Sequence, residues 1–101
     1  MKKIVFDIDG TICEERRTQE KCIANPNSKI ISLINKLYKK NFIILYTARG
    51  WDQYTMTEWW CKKHNVKYHL LLCGKPIYDY WIDDRAFNVS DASIYEKLLL
   101  E

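Results

Sequence analysis

The chain has 101 residues, 48% of them hydrophobic and 29% charged, with a formal net charge of +3 and a pI near 8.6. That length suits one hydrophobic core without a second domain, so residues 1–101 are read as a single domain, and the composition excludes disordered and fibrous classes. The charge is too small to argue for nucleic acid and leaves small anionic substrates open.

The first apolar run, Ile4-Val5-Phe6, is β-branched or aromatic without polar alternation, the pattern of a strand buried on both faces of a parallel sheet. It runs directly into Asp7-Ile8-Asp9-Gly10-Thr11. Carboxylates at positions i and i+2 of a strand end share a face and repel, and a divalent cation with a taste for oxygen ligands, Mg²⁺, relieves that. An Asp-Gly turn joining two hairpin strands is the plainer reading, but residues 12–22 are too charged to make a good partner strand. Residues 12–26 therefore read as an exposed flap over the strand end. Pro26 closes it, and Asn27 or Ser28 caps a helix whose apolar positions Ile30, Ile31, Leu33, Ile34, Leu37 and Tyr38 follow helical spacing. Asn41 is expected to end that helix in the left-handed conformation.

Phe42 to Tyr46 is a second strand, and strand–helix–strand implies a parallel pair with a right-handed crossover. It ends in Thr47-Ala48-Arg49-Gly50, followed by a helix over Trp51 to Asn65 with Met56, Trp59 and Trp60 on one face and His64 as a solvated C-terminal residue. Adjacent tryptophans on a helix diverge by about 100°, so one of the pair must cover another surface. Val66 to Cys73 is a third strand, broken by Gly74-Lys75-Pro76; Tyr80 to Asp83 is a fourth, leading into Asp84 and Arg85; Ala86 to Ser90 is a minor fifth, before a helix from Asp91 using Ile94, Leu98 and Leu99. Only about six residues link the third and fourth strands, too few for a helical crossover. No apolar run is long enough for a signal peptide or membrane span, so a cytoplasmic protein with no membrane partner is expected. Cys13, Cys22, Cys61 and Cys73 lack zinc-site spacing and read as reduced thiols.

Side by side, the strand ends carry Asp7 and Asp9, then Thr47, then Lys75, then Asp83 and Asp84, and in one parallel sheet those ends share an edge. In order and residue type these stretches resemble the four motifs of the haloacid dehalogenase-like hydrolase superfamily, over residues 3 to 88. Tyr46-Thr47-Ala48-Arg49-Gly50 and Ile82-Asp83-Asp84-Arg85 further resemble small phosphatases of nucleotide or surface-polysaccharide metabolism. The resemblance implies an α/β fold, a three-layer α/β/α sandwich around a small Rossmann-like parallel sheet, with the flap in place of a cap. It implies Asp7 as nucleophile toward phosphorus, Asp9 as general acid/base, Thr47, Ala48 and Lys75 as phosphate-binding positions, and Mg²⁺ held among Asp7, Asp9, Asp83 and Asp84. Arg49 and Arg85 are left as contacts to substrate anions or to surface acids.

Chemistry supports each role. A carboxylate can attack phosphorus in line and split hydrolysis into two steps; Asp9 can protonate the departing alkoxide and later take a proton from water; Lys75 offers fixed positive charge to the phosphoryl oxygens. The expected function is hydrolysis of a small phosphorylated metabolite, the alternative a catalytically silent binding or regulatory module on the same scaffold. The aromatic surplus at Trp51, Tyr54, Trp59 and Trp60 points to a homo-oligomer whose second copy roofs the pocket, the alternative being a monomer whose large or varied phosphate substrates supply the lid.

Overall fold

The apolar runs pair side by side as parallel strands. In the computed structural model, which describes residues 1–101, β1 (Lys3–Phe6), β2 (Phe42–Tyr46) and β3 (Leu70–Leu72) form one sheet in the order β1-β2-β3. Phe6 stands opposite Leu45, and Leu45 opposite Leu71, a row buried against the helices. The other face is not covered as the uninterrupted apolar runs suggest: Val5 and Leu70, both opposite Ile44, are 56% and 39% exposed.

α1 (Ser28–Tyr38) turns Ile30, Ile31, Leu33, Ile34 and Leu37 into the core, and the Asn27 side chain accepts the Ile30 N–H at its start. Asn41 does not take the left-handed conformation. Its amide donates to the Leu37 carbonyl at 3.0 Å and its oxygen accepts the Lys2 N–H, so the side chain itself closes the helix end; the left-handed residue is Asn65, φ 55°, after the second helix. That helix, α2 (Tyr54–Lys63), is shorter than expected because Trp51–Gln53 winds as a 3-10 turn. Thr57, Trp60 and Cys61, rather than Met56 and Trp59, form its buried stripe. The two tryptophans do diverge: Trp60 is wholly buried and donates to the Ala24 carbonyl, while Trp59 lies outside under the Lys63 ammonium. His64 is half-buried, its ring 4.2 Å from that of Trp60.

β3 is short because His69 begins the ladder with both of its groups, its N–H donating to the Ile43 carbonyl and its Nδ1 accepting the Ile43 N–H. Beyond it the chain departs most from expectation. Tyr80 to Asp83 and Ala86 to Ser90 form no strands, and Ile77, Tyr80 and Ile82 are 91%, 88% and 98% exposed. The sheet stops at three strands, β1-β2-β3, and no segment after β3 pairs with either edge. α3 (Ala92–Leu100) closes the chain with Tyr95 inward, its hydroxyl donating to the Val89 carbonyl, whereas Ile94 and Leu98 face outward.

The flap is only partly a flap. Ile12, Cys13 and Ala24 are buried in the single core, and the 3-10 turn Thr18–Ile23 packs against α2. All four cysteines are free, and no helix is long and apolar enough to cross a membrane.

Candidate active site

The ends of β2 and β3 are tied to one another by backbone bonds. Thr47, just past β2, donates its N–H to Leu72 at the end of β3 (2.9 Å); Lys75 donates its N–H back to the Thr47 carbonyl (2.9 Å), and Gly74 to that of Arg49 (2.8 Å). Gly74 sits at φ 79°, and a Cβ there would meet the Trp51 indole nitrogen at 3.1 Å, so both conformation and space require glycine. At the end of β1 the chain winds around the Ile8 carbonyl, which accepts the N–H groups of Thr11 and Ile12, with Gly10 at φ 83°. This is a turn into the flap, not a hairpin.

That winding parts the two aspartates. Asp7 keeps a partly open carboxylate with the Lys75 ammonium at 3.8 Å. Burial raises its pKa above the ordinary carboxylate value, against the pull of Lys75. Asp9 is held on all sides: Arg49 reaches it bidentately, Nε to Oδ2 at 3.0 Å and a terminal nitrogen to Oδ1 at 2.9 Å, and Lys21 from the flap approaches Oδ1 at 3.1 Å. Burial alone would raise its pKa; Arg49 and Lys21 outweigh it and hold the group below the usual range, ionised.

Arg49 is the residue of this cluster that sequence reasoning left between two roles. Its side chain is 1% exposed, and its other terminal nitrogen donates to Thr57 Oγ1 at 2.9 Å, which in turn donates to the Gln53 carbonyl. It touches neither solvent nor a surface acid. The signal was present in the register: Phe6 pairs with Leu45, so Asp9 and Arg49 leave adjacent strand ends three and four residues later. Cys13 lies in the same cluster, its sulfur 3.8 Å from Arg49, but burial pushes its pKa up to about 11, which leaves an inert thiol.

Thr47 is fully buried, its Oγ1 accepting the Arg49 N–H at 3.1 Å and its hydroxyl proton left to donate. Ala48 is exposed, and its N–H donates to nothing within the chain. Asp7, Asp9, Thr47, Ala48 and Lys75 thus gather at one sheet edge. Asp83 and Asp84 lie on the exposed segment: Asp83 accepts the Trp81 indole N–H at 3.2 Å and the Arg85 N–H at 2.9 Å, bonds that lower its pKa. No three metal-ligating side chains converge. The donor types, all carboxylate oxygens, nonetheless suit a hard cation such as Mg²⁺. A cleft of about 520 Å³ between α1 and residues 64–67 lies away from this edge and contains none of these groups.

The fold has solved counterparts. A structural-genomics target from Vibrio cholerae superposes with a TM-score of 0.81 at 25% identity, covering 98% of this chain and 96% of that one. A chain of the Pnkp1/Rnl/Hen1 complex superposes with a TM-score of 0.65 at 23% identity, covering 99% of this chain but 34% of its own, a likeness of fold alone. No family model and no curated relative matches the chain.

Proposed function

We propose that the chain is a Mg²⁺-dependent phosphomonoesterase of the haloacid dehalogenase-like superfamily, an α/β/α sandwich with a minimal cap, acting on a small phosphorylated metabolite. The observation that carries the reading is the pairing at the strand ends: Asp7 is a partly open carboxylate whose partner is the Lys75 ammonium, while Asp9, two residues on, is fixed by Arg49 and Lys21. One carboxylate is open to attack phosphorus, and the other is assigned the proton transfers.

In the first step an Asp7 oxygen bonds to phosphorus, the bond from phosphorus to the alcohol oxygen breaks, and the alcohol leaves with a proton from Asp9. In the second, water bonds to phosphorus, its proton passes to Asp9, and the bond from phosphorus to Asp7 breaks, which frees the Asp7 carboxylate, returns Asp9 to its protonated form and releases inorganic phosphate. Lys75, the Thr47 hydroxyl and the Ala48 N–H stabilise the charge on the phosphoryl oxygens. Asp9 rests ionised, so the first step requires it to gain a proton, against both Arg49 and Lys21. Mg²⁺, held by Asp7 with Asp83 or Asp84, would offset the repulsion between carboxylate and phosphate.

One observation favours a second reading, a catalytically silent module: both Asp9 oxygens are engaged and Asp83 stands apart. Release of inorganic phosphate from a panel of phosphorylated metabolites decides between them. Turnover with Mg²⁺ that stops with EDTA is the expected result; binding without turnover on every substrate assigns the module. An oligomer that roofs the pocket belongs to the first reading, and sedimentation as a single 12.2 kDa species at full activity would remove it.

A further inference from the structure

Three aromatic rings surround the cation that faces Asp7. The Lys75 ammonium lies 5.4 Å from the ring centroids of both Tyr78 and Trp81 and 5.9 Å from that of Tyr46, within the range of cation–π attraction. Tyr78 and Trp81 pack against each other at 4.9 Å with planes tilted by 59°. Neither belongs to the hydrophobic core, and each remains 46% exposed. Large apolar rings gathered beside a polar site and left open to water mark a binding surface.

Resting on the phosphomonoesterase reading, we infer that Tyr46, Tyr78 and Trp81 form a stacking platform for the heteroaromatic base of a nucleoside monophosphate, with the phosphate against Asp7 and Lys75. Position favours a base over the alcohol's first sugar. Lys75 separates the rings from Asp7, so a sugar carrying the phosphate sits beside the ammonium and the group beyond it meets the rings. Every nucleobase presents a π-face, and planar rings at fixed orientation receive it without hydrogen-bond readout. The Trp81 indole N–H donates to Asp83 at 3.2 Å, which restricts the ring.

The test is binding to Asp7→Asn protein, which removes turnover from the measurement. Adenosine 5′-monophosphate should bind roughly tenfold tighter than ribose 5-phosphate, the same phosphate and pentose without the base. Replacing both rings (Tyr78→Leu with Trp81→Leu) should bring the two affinities to within about twofold, and Tyr78→Phe with Trp81→Phe should restore the preference, since the rings and not their polar atoms carry it. Far-ultraviolet circular dichroism checks that each variant folds. Equal affinity for the two ligands, a preference that survives loss of both rings, or tighter binding of glucose 6-phosphate than of the nucleotide overturns the platform. Base preference without turnover in the Asp7-intact protein would sink the phosphatase reading and leave the platform standing; turnover without base preference would do the reverse.

Discussion

Residues 1–75 and residues 76–101 are similarly rich in apolar side chains, yet they meet opposite fates. Every member of the core cluster except Tyr95 comes from the first region, while Ile77, Tyr80 and Ile82 in the second stand almost fully in water. Hydrophobicity alone did not decide burial; the path available to the backbone did. In the first region, helices carry the chain back so that successive strands lie in parallel, and each strand end delivers a polar group to one edge. In the second, a short link follows β3, and its aromatic residues gather on Lys75 instead of on the sheet. The first region is therefore a rigid support for Asp7, Asp9, Thr47 and Lys75. The second supplies groups that face whatever enters.

The largest effect expected from breaking the rigid half is on Asp7. Asp7→Asn should abolish phosphate release, because an amide is a poor nucleophile, while the fold persists. Its stability signature is equally specific. A carboxyl whose pKa is raised on folding stabilises the native state at low pH and loses that contribution as pH rises through the folded pKa, so the variant should gain in Tm over the wild type as pH climbs past that point. Asp9 has the opposite sign: its lowered pKa gives stability that is present above the unfolded value near 3.9 and lost as pH falls through the folded one, so Asp9→Asn should cost stability at neutral pH. On activity, Asp9→Asn should lose about 10²- to 10⁴-fold on alkyl phosphates. A nitrophenyl ester should lose less in single-turnover phosphoryl transfer, since its leaving group needs little protonation. Equal losses would remove Asp9 from the acid role.

Arg49 tests the support itself. Arg49→Leu strands Asp9 beside Lys21 alone, and breaking a buried pair by removing one partner costs about 3 kcal/mol, read by urea denaturation. Since most of that is the penalty of the uncompensated Asp9 charge, the double change with Asp9→Leu should cost less than the sum of the single changes. Additive losses would mean the two residues act independently.

The contrast between the regions also separates what was legible in the sequence from what was not. The stripe Ile30, Ile31, Leu33, Ile34, Leu37 and the strands at Phe6, Leu45 and Leu71 follow from local periodicity, which residues carry wherever they fold. The gathering of Asp7, Thr47 and Lys75 at one edge followed from parallel pairing, again a local consequence once the strands were placed. Tyr80 to Asp83 had the same apolar look as a strand, but a strand exists only with a neighbour, and pairing is a property of the whole sheet that the segment's own residues do not carry. Arg49 was missed for a related reason: its partner Asp9 is 40 residues away, and only the β1–β2 register joins them.

The smallest effect sharpens the comparison most. Ile43, wholly buried in the middle strand, and Ile82, 98% exposed, carry the same side chain. Ile43→Ala removes buried methyl groups and leaves a cavity, at a cost of about 2–5 kcal/mol. Ile82→Ala removes nothing from the core and should stay within about 0.5 kcal/mol of the wild type. The measurement is urea denaturation of both variants in the same buffer, with and without Mg²⁺ and inorganic phosphate. A loss at Ile82 approaching that at Ile43 would mean that residues 76–90 pack as a fourth strand in solution, which would also draw Asp83 and Asp84 toward Asp7. If the loss appears only with the ligands present, docking of this segment accompanies occupation of the site, and the exposed region is the part that responds to substrate.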